Sequence, residues 1–272
     1  MPEPSSGTID TAAGAVSWRR LGSGPPLVLV NGYAASKNDW DPAFLEGLAA
    51  SSTVYLPDNR GIGESPESPD GISIDSMAAD TLAFIDAIGL ESTDLAGWSM
   101  GGFIAQSLAS LAPERFTSLV LMATDPGGQE AVQCSREVGA RLFDHSGTPD
   151  EMAERLIGIL FPPDVAREVY REFGPVVAAA QKKLRVKTAN AQAGSMMKWF
   201  SEPSDERLAA ITAPVMIATG TEDVVIPPVN AINLARRLPA SWLARFRGGG
   251  HAFMAQEPER VAATINAFTG RS

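Results

Sequence analysis

The 272-residue chain is 44% apolar and 20% charged, with 25 Gly and 20 Pro, proportions that exclude collagen-like, coiled-coil and compositionally disordered chains. At this length one full-sized domain carrying an insertion, or two domains, can bury a large core. A net charge of −10 repels phosphate backbones and anionic membranes, so neither nucleic acid nor a membrane is an expected partner.

Residues 1–10 are polar and lack the basic and apolar regions of a secretory leader, and no apolar run nears the ~20 residues that span a bilayer. The expectation is a soluble, cytoplasmic protein. Residues 27–30 (Leu-Val-Leu-Val) and 53–56 (Thr-Val-Tyr-Leu) are short apolar runs closed by Asn31-Gly32 and Pro57-Asp58, the pattern of strands buried on both faces. Helical spacing covers 74–88, with Asp75 as its expected N-cap. A strand at 94–96 runs through Gly97 into a helix from Ser99 to about Leu111, and 117–122 is the next strand. From about 127 to 208 only helical signals occur, at 129–143, 150–160, 163–173, 176–188 and 191–200. Strand, helix, strand and helix then resume at 214–218, 231–238, 242–246 and 258–268. The alternation predicts an α/β fold with a mostly parallel central sheet, helices on both faces, and an all-helical insertion after the sixth strand. Residues 1–126 and 209–272 form the expected core and 127–208 the insertion. The single Cys134 cannot form an internal disulfide, and two histidines are too few for a His-rich metal site; neither metal nor cofactor is expected.

Gly97-Trp98-Ser99-Met100-Gly101 fits G-x-S-x-G, a weak pattern by itself that gains force where a strand turns directly into a helix. A turn that tight requires tiny residues two before and two after the serine, which Gly97 and Gly101 supply, with Gly102 adding room. Ser99 is then the candidate nucleophile. A hydroxyl needs a base to take its proton. His251, in the glycine-rich 248–253 turn after the last strand, is better placed for that than His145, whose polar linker suits a solvated or capping role. Asp223, just past the penultimate strand, is the favoured carboxylate to orient the imidazole. Glu222 and Asp125 are its rivals, and Asp125 would otherwise cap a turn. The main-chain N–H groups of Met100 and Tyr33 are the expected oxyanion donors.

With those residues assembled, the sequence resembles the α/β-hydrolase superfamily, in the serine-nucleophile branch with a helical cap, over nearly its whole length. Asp58-Asn59-Arg60-Gly61-Ile62-Gly63-Glu64-Ser65 resembles the D-x-R-G-x-G-x-S segment of that branch, and the usual His-Gly of the oxyanion turn is Asn31-Gly32 here. The resemblance implies a cap over 127–208 and a chain order of Ser, Asp, His. It disfavours relatives that need Asp at the nucleophile position.

The expected activity is hydrolysis of a small carboxylic ester or lactone through an acyl-enzyme. A cofactor-free perhydrolase or haloperoxidase-like enzyme and a low-turnover ligand sensor are the alternatives. Candidate pocket residues are Met196, Met197, Trp199, Phe200, Phe161 and Phe143 from the insertion, with Trp98, Phe103, Phe253 and Met254 from the core. The Lys182, Lys183, Arg185 and Lys187 cluster reads more readily as a solvated face than as an anion site.

Overall fold

The computed structural model describes residues 4–67, 71–238 and 240–271. Residues 1–3 of the polar N-terminal stretch lie outside the described residues. The strands are β1 (Ser5–Thr11), β2 (Gly14–Leu21), β3 (Pro26–Val30), β4 (Thr53–Pro57), β5 (Thr93–Trp98), β6 (Phe116–Met122), β7 (Val215–Gly220) and β8 (Trp242–Phe246). They form one sheet in the order β1-β2-β4-β3-β5-β6-β7-β8. Among the described residues only the β1/β2 and β2/β4 pairs are antiparallel.

Helices α1 (Pro42–Ala49), α2 (Ile74–Ala87) and α3 (Met100–Leu111) alternate with the early strands. Five follow β6: α4 (Arg136–Leu142), α5 (Pro149–Leu160), α6 (Pro163–Lys183), α7 (Val186–Trp199) and α8 (Asp205–Ala209). The chain closes with α9 (Val229–Arg237), α10 (Phe253–Gln256) and α11 (Pro258–Phe268). Along β3, Val28 and Val30 join the core layer beneath α2, α3 and α9, while Leu27 and Leu29 face the opposite layer beneath α1, α10 and α11. This two-sided burial explains why the strand is a continuous apolar run rather than an alternating one. It is an α/β-hydrolase fold, as the resemblance implied.

From β3 the chain crosses to β4 on one side, then returns through α2 to β5 on the other. The strand order therefore reverses at β3, and the carboxyl ends of β3 and β5 mark the switch point at which open α/β sheets bind ligands.

Several local expectations are corrected. The β1–β2 hairpin, which makes Phe116–Met122 the sixth strand, is not located by the sequence pattern, because Ser5–Thr11 carries one large apolar residue, Ile9, and is specified by pairing along β2. Ser73, not Asp75, caps α2: it accepts from Ser76 N–H, and Ser76 returns the bond to Ser73 N–H at 2.9 Å. Asp75 instead accepts from Ser107 Oγ at 2.7 Å. The 129–143 helix shrinks to α4, capped by Ser135. The two helices expected on either side of Pro175 are one, α6, which continues through the proline. A proline removes one amide from the i→i−4 ladder, and packing along α5 compensates here. No helix among the described residues is long and apolar enough to cross a membrane.

Candidate functional site

The turn from β5 into α3 holds Ser99 at φ 56° and ψ −123°, a left-handed φ that costs a non-glycine residue ~1–3 kcal/mol. Surrounding bonds fix it there. Ser99 N–H donates to Met122 O at 2.9 Å, and its carbonyl accepts from Gly102 N–H at 2.8 Å and Thr124 Oγ1 at 3.0 Å. The glycines are sterically required: a Cβ on Gly97 would lie 2.2 Å from Gly101 O, and one on Gly101 would lie 2.3 Å from Val30 O. That last contact also presses the start of α3 against the end of β3. The start of α3 with Met100 therefore stands beside the residues that follow β3. Met100 is the first residue of α3, where amides have no intrahelical acceptor.

Asp223 and His251 come from two loops laced to one another. Glu222 N–H donates to Gly249 O at 2.8 Å, Thr221 N–H to Phe246 O at 2.9 Å, and Gly248 N–H to Thr221 Oγ1 at 2.9 Å. Gly220 is needed for this approach, since a Cβ there would meet Gly249 O at 2.2 Å. His251 Nδ1 lies 2.8 Å from Asp223 Oδ2. The other carboxylate oxygen accepts from Val225 and Ile226 N–H at 2.9 Å each. The carboxylate oxygen is an acceptor, so it pairs with an N–H on Nδ1 and turns the opposite ring nitrogen, Nε2, away from Asp223. Both side chains are buried, and Trp98 ties them to the serine turn: its Nε1–H donates to His251 O at 3.0 Å, and the two rings lie 5.4 Å apart. The rival carboxylates are elsewhere. Glu222 is exposed. Asp125, 1% exposed, accepts from Gly127 N–H at 2.8 Å and Trp199 Nε1–H at 3.1 Å, and burial lifts its carboxyl to about 7.

Asn31 is fully buried; Nδ2 donates to Pro57 O at 2.8 Å, and Oδ1 accepts from Trp40 Nε1 at 2.5 Å. His145 is not a solvated linker residue: its Nε2 is 2.8 Å from Tyr33 Oη, while Phe143 packs edge-on to the Tyr33 ring at 5.3 Å. Burial lowers the His145 pKa and raises that of Tyr33.

The candidate pocket residues divide. Leu160 and Phe161 lie against the histidine loop, where a Cβ on Gly250 would be 2.5 Å from Leu160 O and 3.0 Å from Phe161 Cα. Phe103 stacks on Trp199 at 4.9 Å and meets Phe200 edge-on at 6.3 Å, joining α3 to the end of α7, and Met196 is buried nearby on α7. Met197 is a correction: one helical step from Met196, it turns outward and is 47% exposed. Phe253 is another, stacked on Phe246 at 4.9 Å within the core, beside buried Met254. Lys182, Lys183, Arg185 and Lys187 are exposed. Gln192 is not among the residues that the sequence motifs single out, although its place on the buried stripe of α7 with Ala189, Met196 and Trp199 marks it as a polar residue facing inward.

The family model described as the alpha/beta hydrolase fold matches residues 25–258. The chain belongs to that family. This α/β hydrolase is 29% identical to a protein of Azorhizobium caulinodans named as a carbamate hydrolase, RutD, over 92% of each chain. It is 30% identical to a Mycobacterium tuberculosis protein named as a non-heme bromoperoxidase, BpoC, covering 91% of this chain and 94% of the relative. The structure of esterase RhEst1 from Rhodococcus sp. ECU1013 shares the fold at a TM-score of 0.83 and 22% identity, covering 98% of both chains.

Proposed function

We propose that this α/β hydrolase cleaves small carboxylic esters or lactones through an acyl-enzyme on Ser99, with the helices of 127–208 acting as a cap that selects the substrate. The observation that carries the reading is the Asp223–His251 hydrogen bond of 2.8 Å, seated against Trp98, the residue before a serine held at positive φ. Ser99 Oγ attacks the carbonyl carbon as His251 Nε2 takes its proton. The tetrahedral oxyanion is met by the N–H groups of Met100 and Tyr33, and Nε2 returns the proton to the departing alcohol. Water, deprotonated at the same nitrogen, then attacks the acyl carbon and releases the acid, regenerating the hydroxyl. Asp223 keeps Nδ1 protonated throughout and stabilises the imidazolium. The similarity to a protein named as a carbamate hydrolase fits attack on an acyl carbonyl. Phe161 beside the histidine loop and Met196 on α7 supply apolar surface for the acyl group.

Similarity to a protein named as a non-heme bromoperoxidase favours a second reading in which peroxide, rather than water, resolves the acyl-enzyme. Parallel assays separate the two: p-nitrophenyl ester and lactone panels of graded acyl length, against acetate-dependent halogenation of monochlorodimedone with peroxide. Ester or lactone turnover that disappears in Ser99→Ala supports the first reading. Halogenation outpacing it supports the second. Turnover retained by Ser99→Ala refutes both.

A further inference from the structure

Two side chains from the inserted helices converge on the turn after β3. Ala34, in the left-handed region at φ 55°, donates its N–H to Gln192 Oε1 at 2.9 Å. One residue earlier, Tyr33 Oη meets His145 Nε2. Gln192 is wholly buried on α7, and the nearest partner of its own NH2 group is the Met77 thioether sulfur at 3.9 Å, a weak acceptor. A buried amide so poorly served is costly, and Leu or Met would fill the same space without that cost. Packing therefore does not account for glutamine at this position; holding the peptide between Tyr33 and Ala34 does. On the other side of Tyr33, Gly32 lies against Trp98, where a Cβ would be 2.9 Å from the ring. The turn is held from both ends, once by the core and once by α7.

We propose that Gln192 is a positioning residue for the oxyanion site: by accepting Ala34 N–H it orients Tyr33 N–H towards the charge that develops on the acyl oxygen at Ser99, and makes turnover depend on α7 being docked. The inference rests on the serine-hydrolase reading above. Gln192 touches no reacting atom. A misaimed donor matters little to a ground-state carbonyl and much to an oxyanion, so its loss falls on kcat rather than KM.

The test compares Gln192→Leu, which keeps bulk but has no acceptor, with Gln192→Glu, which keeps an acceptor oxygen at the same reach. Four quantities are read: the rate at which a fluorophosphonate probe labels Ser99, kcat and KM for a p-nitrophenyl ester, and hydrogen–deuterium exchange across residues 32–35. Gln192→Leu should lower labelling rate and kcat about 10- to 100-fold with KM within about twofold, and should speed exchange in that turn. Gln192→Glu should restore most of the loss. If Gln192→Leu fails to fold, Gln192→Met carries the same expectation. Unchanged kcat and labelling in a folded variant, or a loss expressed equally in KM, overturns the inference while leaving the hydrolase reading intact. A wild-type enzyme that the probe does not label at Ser99 overturns that reading and this inference with it.

Discussion

Asp125→Asn probes the junction between β6 and the inserted helices. Burial dominates the Asp125 carboxyl and raises it from 3.8 to about 7, against the opposing pull of the Gly127 and Trp199 hydrogen bonds and the Arg207 charge. In the unfolded chain that carboxyl has lost its proton above about pH 4; in the folded chain it keeps it to about pH 7. The folded state binds more protons across this interval, so stability is greatest below it and falls as pH rises through it. At ~1.36 kcal/mol per pH unit the interval is worth at most ~4 kcal/mol, of which about two-thirds, ~3 kcal/mol, lies between pH 5 and 8. Asparagine keeps the Oδ1 acceptor for both donors and cannot ionise. Thermal unfolding at pH 5, 6, 7 and 8, at constant ionic strength, should find the wild-type midpoint dropping ~6–12 °C more than that of Asp125→Asn, taking ~2–4 °C per kcal/mol. Parallel profiles for the two proteins would refute the assignment of a neutral buried carboxyl.

Asp223→Asn should remain folded while ester turnover falls about 10⁴-fold, because the amide favours the wrong imidazole tautomer. If Asp125→Asn loses more turnover than Asp223→Asn, the orienting carboxylate has been misassigned. Lys37→Met should lower the unfolding free energy by about 3–5 kcal/mol in urea titration, since Lys37 Nζ lies 2.7 Å from Asp58 Oδ2, both side chains are almost fully buried, and removal leaves the carboxylate with no countercharge and only the Lys37 and Glu64 backbone N–H groups as donors. A loss below about 1 kcal/mol would mean that Asp58 finds water or another donor.

What was readable in the sequence was whatever neighbouring residues decide. The strand β3 is an apolar run because both faces of the sheet are covered, and the elbow was readable because Gly97 and Gly101 flank the serine at fixed spacing, although the carbonyl that Gly101 makes room for, Val30 O, belongs to β3. Elements settled by distant partners were hidden. Ser5–Thr11 is a strand because β2 pairs with it, and α6 runs through Pro175 because it packs along α5. Within the candidate site, Asp223 was favoured for its place just past the penultimate strand; its Oδ2 lies 2.8 Å from the imidazole, while Asp125 meets Trp199. The bonds from His145 to Tyr33 and from Gln192 to Ala34 span 112 and 158 positions. No local periodicity encodes such contacts; the only trace is a glutamine on the buried stripe of α7.

The central claim, that Ser99 is the nucleophile, is tested most directly by treating the folded protein with a fluorophosphonate probe and mapping the added mass by peptide mass spectrometry. One equivalent on the peptide containing Ser99, absent from Ser99→Ala and slowed in Asp223→Asn, is the predicted result. Labelling at another residue, or full ester turnover by Ser99→Ala, would contradict it.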